Sequence, residues 1–127
     1  MKIKLSEIKN IVKAMEGIAY QKIPVRMALK IGAFVKILEE KHVLYEDTRI
    51  KLCLMYCDKD ESTGLPIIED NVYKGLQDNE TFTKEFESLN EETVDVTFDG
   101  ISINTLEKEG VKLSIADALA LDLILID

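Results

Sequence analysis

From Pro24 to about Cys57 the apolar residues recur at alternating three- and four-residue steps, and no other feature constrains the fold of this chain as tightly. Met27, Ile31, Phe34, Leu38, Tyr45, Leu52 and Met55 fall on one seam, interrupted only by Lys41 and Thr48. That spacing predicts a single long helix packed lengthwise against others, as in a bundle or coiled coil. At about 1.5 Å per residue it spans roughly 50 Å, more than a 127-residue globule needs inside itself. Pro24 suits the first turn, where its missing N–H costs nothing. The first helix is too short to cover the far half of this one, so its partner must come from the acidic half or from another subunit; Met27, Ile31, Phe34, Leu38, Tyr45 and Leu52 are expected to form an interface, with a second copy or with another protein.

The rest of the chain supports one domain. Its apolar share of 46% is enough for a real core. Aromatics are few and Trp is absent, so that core is built mostly from Ile, Leu, Val and Met, which favours helix packing over an aromatic ligand pocket. No apolar run approaches the ~18–20 residues of a membrane span. The segment Met1–Glu7 enters an amphipathic pattern directly, without the unbroken apolar stretch of a secretory signal. Leu121–Asp127 is apolar, short and broken by Asp122, which predicts a buried terminal element.

Charge divides the chain. Residues 1–57 hold nine Lys, two Arg and six acids, a net +5; residues 58–127 hold five Lys, no Arg and eighteen acids, a net −13, which together make −8. Halves of opposite sign are expected to face each other, within a protomer or between protomers. The basic residues are spread singly along helix faces with no aromatics between them, a pattern that argues against nucleic-acid binding. The expected organisation is a basic helical hairpin at 1–57 with an acidic α+β part at 58–127 packed on it, within one domain.

Local signals order the remaining elements. Ser6 is a good N-cap with Glu7 in the first turn, and Leu5, Ile8, Val12 and Met15 mark a first helix of about three turns that Gly17 ends or loosens. Ala19–Ile23 is a short link, so the first two helices run antiparallel. Gly32 inside the long helix weakens it by roughly 1 kcal/mol relative to Ala, which a close helix–helix approach would explain. A bend near Lys41–Val43 would fit the lapse in the seam. Asp58–Pro66 is a loop, and Leu65–Ile68 and Val72–Leu76 are short strands around Glu69-Asp70-Asn71. Asn79–Glu92 is a helix with Phe82, Phe86 and Leu89 on one face. Thr93–Phe98, Asp99-Gly100 and Ile101–Ile103 predict a β-hairpin closed by a type I′ turn, with Phe98 facing Ile101 and Val96 facing Ile103. A helical turn capped at Asn104, with Glu107 three residues on, competes for the second strand. Gly110 ends that turn, and Ser114 caps a last helix to about Leu121 with Asp117 at its third position. The fold class is α+β and mostly helical: a long helix paired with a short N-terminal one, a small hairpin at about 93–103, and short C-terminal helices.

Chemistry-bearing motifs are weak. Asp58, Asp60, Ser62 and Glu69 occupy positions one, three, five and twelve of an EF-hand calcium loop. Thr63 stands where that loop needs Gly, Gly64 comes one residue late, and no exit helix follows, so a solvated turn is the better reading. Cys53 and Cys57 lie one helical turn apart, where a disulfide would strain the helix and a zinc ion would lack two ligands, since His42 is the only histidine. Two free thiols are expected. His42 has no paired nucleophile or carboxylate fixed by the sequence, and the glycines are scattered singly, with no phosphate-binding loop. No catalytic residue, metal or cofactor is assigned.

Several segments together carry a resemblance. Lys4-Leu5-Ser6-Glu7-Ile8 opens one helix and Ile23-Pro24-Val25-Arg26-Met27-Ala28-Leu29-Lys30-Ile31 opens the long one. Leu38-Glu39-Glu40, Tyr45-Glu46-Asp47-Thr48-Arg49, Tyr56-Cys57-Asp58-Lys59-Asp60-Glu61 and the closing Leu113-Ser114-Ile115-Ala116-Asp117-Ala118-Leu119 follow. The chain resembles a family of small proteins encoded by tailed bacteriophages and prophages. It departs from that pattern after Tyr56, where Cys57 and an inserted Ser62-Thr63 replace a Gly-containing turn. The resemblance implies no catalytic residues. It implies a non-enzymatic phage protein of the bacterial host cytoplasm or the virion, a structural or assembly component that binds itself or other phage proteins. An inhibitor of a host defence or transcription protein is the alternative, and an enzyme with cryptic carboxylates a second.

Overall fold

A computed structural model describes all 127 residues. The chain begins with β1 (Lys2–Lys4) and a 3-10 turn (Leu5–Glu7) that leads into α1 (Ile8–Ala19) and the long α2 (Val25–Tyr56). Two short strands follow, β2 (Ile68–Glu69) and β3 (Val72–Tyr73), then α3 (Glu80–Glu91) and β4 (Thr93–Asp95). The chain closes through β5 (Ile101–Ser102), α4 (Ile103–Lys108), α5 (Ile115–Ala120) and β6 (Leu125–Ile126). The architecture is α+β and mostly helical, as expected. No helix is long and apolar enough to cross a membrane.

The core forms where α1 crosses the first half of α2. Ile8, Ile11, Met15 and Ile18 recur at helical spacing and bury one side of α1. They meet Ile31, Phe34 and Leu38 of α2, and Leu121 and Ile124 complete the same cluster from the C-terminal end. The second half of α2 is covered from the acidic half, by α3. Tyr56 meets Phe82 there at a tilt, with ring centroids 6.4 Å apart, and Phe82 stacks on Phe86 at 5.6 Å. Asn79 caps α3, its side chain accepting from the Phe82 N–H at 2.9 Å.

Several local expectations are corrected. Ser6 caps nothing: its hydroxyl donates to the Asn90 carbonyl at 3.0 Å, because the Leu5 N–H bonds Glu92 and extends the β1–β4 ladder into the first turn. Gly17 lies inside α1, since burial of Ile18 carries the helix past it. Pro24 is the N-cap of α2, one residue outside the helix, and α2 runs unbroken through Lys41–Val43. Gly32 has no close neighbour: a Cβ there would meet nothing within 4 Å. The short C-terminal helices start at Ser102 and Ser114, whose hydroxyls accept from the Thr105 and Asp117 N–H groups. The first of these caps comes two residues before the expected Asn104.

The hairpin at 93–103 does not form. β4 pairs antiparallel with β1, Ile3 against Val94, and β5 pairs parallel with β6, Ile101 against Leu125. Each arm has found a chain end. The physical reason lies at the turn and in the core. A type I′ turn needs positive φ at both residues; Gly100 has φ +91°, but Asp99 does not join it, and its carboxylate pairs with Lys30 at 3.7 Å. Phe98 leaves the strand to stack on Phe34, with centroids 4.1 Å apart and the rings nearly parallel. The alternation over 94–98 survives: Val96 is buried and Val94 and Phe98 half-buried, while Asp95 and Thr97 face solvent. Ile103, expected on the inner face, is exposed because α4 starts there. The turn chemistry sought at 99–100 occurs at Asp70-Asn71, where φ values of 52° and 63° close the β2–β3 hairpin.

The two interior glycines should respond oppositely to substitution. Gly100 carries φ +91° and an added Cβ would lie 2.9 Å from the Ile124 carbonyl oxygen. Gly100→Ala should cost about 1–3 kcal/mol in a urea melt. Gly32→Ala, in an open helix interior, should gain roughly 1 kcal/mol in dilute protein.

Candidate interaction surface

The seam residues expected to meet a partner are placed inside the protomer. Ile31, Phe34, Leu38 and Tyr45 are buried in the chain's own core, and Met27 and Leu52 pack against its edge. Only Met55 of that seam faces solvent, at 62% exposure. The cause is the acidic half, which supplies the cover that α1 is too short to give. Three of the five ion pairs join the two halves: the Met1 amino group to Asp95, Lys4 to Glu91 and Lys30 to Asp99. The charge split is therefore satisfied within one chain.

The opposite side of α2 carries what the expected seam does not. Val25, Leu29, Ile37, Val43, Leu44, Ile50 and Leu54 all expose large apolar side chains there, Val25 at 74% and Leu44 at 57%. Their exposure runs from 37% at Ile50 upward, and none of them belongs to the buried core. A helix apolar on both sides is normally buried on both sides, and contiguous exposed apolar surface of this kind marks an interaction site. The signal was present in the sequence as a second row of apolar residues out of phase with the first.

The remaining sequence-level candidates have local roles. Asp60 Oδ1 accepts from the Ser62 hydroxyl and from the Ser62 and Thr63 N–H groups, at 2.6, 2.8 and 3.0 Å. These bonds, the hydroxyl's first, hold its carboxyl below the usual range. Glu69 pairs with Lys74 at 2.8 Å, and the Asp58 carboxylate lies against Gly75, where a Cβ would not fit. The four calcium-loop candidates thus serve their own turn and hairpin, and no three His, Cys, Asp or Glu side chains converge as a metal set. Cys53 and Cys57 are buried free thiols, and burial pushes the Cys53 thiol up.

One polar row crosses the junction of α2 and α3. Tyr45 Oη donates to Asn90 Oδ1 at 2.6 Å, and Arg49 donates to Glu46 through Nη2 at 2.9 Å and Nε at 3.2 Å. The Arg49 bond holds the Glu46 carboxyl down, and burial of the phenol pushes Tyr45 up. His42 stacks 6.0 Å from Tyr45 with its Nδ1 buried and unpartnered. Two grooves with apolar lining lie elsewhere. One of about 640 Å³ runs between α1 and α5, and one of about 400 Å³ lies between the start of α2 and residues 98–105. Neither assembles a nucleophile, a base and an oxyanion donor.

Comparison with protein-family models, with curated proteins and with solved structures finds no match. The outer face of α2 is therefore weighed on its own geometry.

Burial of the Tyr45 phenol, with Glu46 beside it, makes stability depend on alkaline pH. A phenol raised above 10.0 favours the folded state only while its proton is held. That contribution is complete below the unfolded pKa and is lost as pH rises through the folded one. Tyr45→Phe should cost about 1 kcal/mol at neutral pH, through the lost Asn90 bond, and should flatten the fall in urea stability above about pH 10.

Proposed function

We propose that this chain is a non-enzymatic interaction protein, an oligomeric structural or assembly component whose docking surface is the outer face of α2. The observation that carries the reading is the row of large apolar side chains exposed on that face, along a helix of 32 residues whose other side carries the buried Ile31, Phe34, Leu38 and Tyr45. Water-exposed apolar surface costs free energy that a binding partner recovers. The residues of the likeness to tailed-phage proteins lie largely on α2 and α5, and that likeness supports an accessory role in the host cytoplasm or the virion. The exposed apolar row makes binding the activity best supported.

Light scattering tests the oligomeric part. The wild-type chain at tens of micromolar should show a mass above its 14.4 kDa. Leu44→Gln should lower that mass while changing monomer stability by less than about 0.5 kcal/mol, because Leu44 touches no core residue. A wild-type monomer throughout that range overturns the reading.

A further inference from the structure

The outer face of α2 has a heptad order of its own. Leu29, Lys36, Val43 and Ile50 recur every seven residues, and Ala33, Glu40, Asp47 and Leu54 follow each of them by four. The two rows make a continuous seam on the side away from Ile31, Phe34 and Leu38. All eight residues are exposed, and Lys36, Glu40 and Asp47 form no ion pair within the chain. A seam with charges at core positions accepts only a partner that answers them.

A second copy answers them in one arrangement. Parallel pairing in register sets Lys36 on Lys36, Glu40 on Glu40 and Asp47 on Asp47, three layers of like charge. Antiparallel pairing with Leu29 against Leu54 of the second copy gives a different series. Ala33 then faces Ile50, small against large, Lys36 faces Asp47, and Glu40 faces Val43, each layer occurring twice by the two-fold. A slip of one heptad in one direction keeps an attractive layer, Lys36 against Glu40, but sets Leu29 against Asp47 and Ile50 against Arg26; a slip in the other sets Lys36 against Leu54. The polar layers thus select both orientation and register, as single polar core positions do in coiled coils.

We propose that two copies of this chain pair through the outer faces of α2 as an antiparallel two-fold helix pair, in which Lys36 of each copy meets Asp47 of the other. This rests on the reading of that face as a protein-binding surface, and names its partner. The helix is about 48 Å long, so the contact would run its whole length at the shallow crossing typical of such pairs.

Carbodiimide cross-linking of the full chain, followed by peptide mass spectrometry, tests the register. Lys36 and Asp47 of one helix are about 16 Å apart, so an amide between them forms only between copies. The expected result is a Lys36–Asp47 link in the cross-linked dimer. In sedimentation equilibrium, Lys36→Asp and Asp47→Lys should each weaken the dimer by about tenfold or more, and the double swap should restore it to within about threefold. Both positions are exposed, so each variant folds, which circular dichroism verifies. A dimer that lacks this link and shows no rescue overturns the antiparallel register while leaving an interaction surface in place. A chain that stays monomeric at tens of micromolar overturns self-pairing altogether.

Discussion

The structure depends on how one long helix is covered. α2 cannot stand alone as an apolar rod of 32 residues, and α1 has only 12 with which to meet it. The fold solves this by returning the acidic half across the same side. Phe98 stacks on Phe34 near one end, Asn90 receives Tyr45 in the middle, and Phe82 meets Tyr56 near the other. Two of these contacts couple an anchor on α2 to α3, and the third couples it to the irregular stretch around Phe98. The short strands are consequences of that return. β1 meets β4 because α3 brings residue 93 beside the chain's first residues, and β6 meets β5 because Leu121 and Ile124 are anchored in the same core.

This explains which parts of the fold were legible in the sequence. Periodicity is a local property, and α1, α2 and α3 were each visible from their apolar spacing, α2 also from its flanking Pro24. The Ser114 cap and the Gly110 stop were likewise read from adjacent residues. The hairpin at 93–103 was misread because its local signals, Asp-Gly and alternating Val, Val and Phe, are compatible with other strand partners. Strand pairing is decided by what else the chain brings alongside, and nothing near residue 98 announces Phe34, Lys30 or Leu125. Asp70-Asn71, a weaker-looking dipeptide, took the turn because its two strands had no competing partners.

The candidate site was half legible for a related reason. The strongest seam, from Met27 to Leu52, was identified correctly as a helix-packing face, but its partner proved to be the chain itself. A seam shows that a face is buried and leaves open what buries it. The decisive quantity is how much cover the rest of the chain can supply, and the acidic half concealed that capacity because its apolar residues are divided among short elements with no shared period. Gln21 illustrates the point: its side chain donates to the Lys112 carbonyl at 2.8 Å and accepts from the Lys112 N–H at 2.9 Å, joining segments with no shared pattern.

Once the first face is accounted for, the second becomes the informative one. Surface helices of small domains place charge where water is, and α2 places Leu29, Val43, Ile50 and Leu54 there. Core packing does not require them, since their side chains point away from Ile31 and Leu38. Helix propensity does not require them either, because Val and Ile are poorer helix formers than Lys or Glu. Gly32 sharpens the contrast, lying on that face with no intrachain neighbour that would call for a small residue. A helix selected only for folding would have no reason to keep apolar residues at heptad spacing on its wet side. The interleaved Lys36, Glu40 and Asp47 then limit which helix can approach, since a uniformly apolar stripe would accept any greasy partner and a charged one must be matched. The face combines enough apolar surface to bind with enough charge to choose.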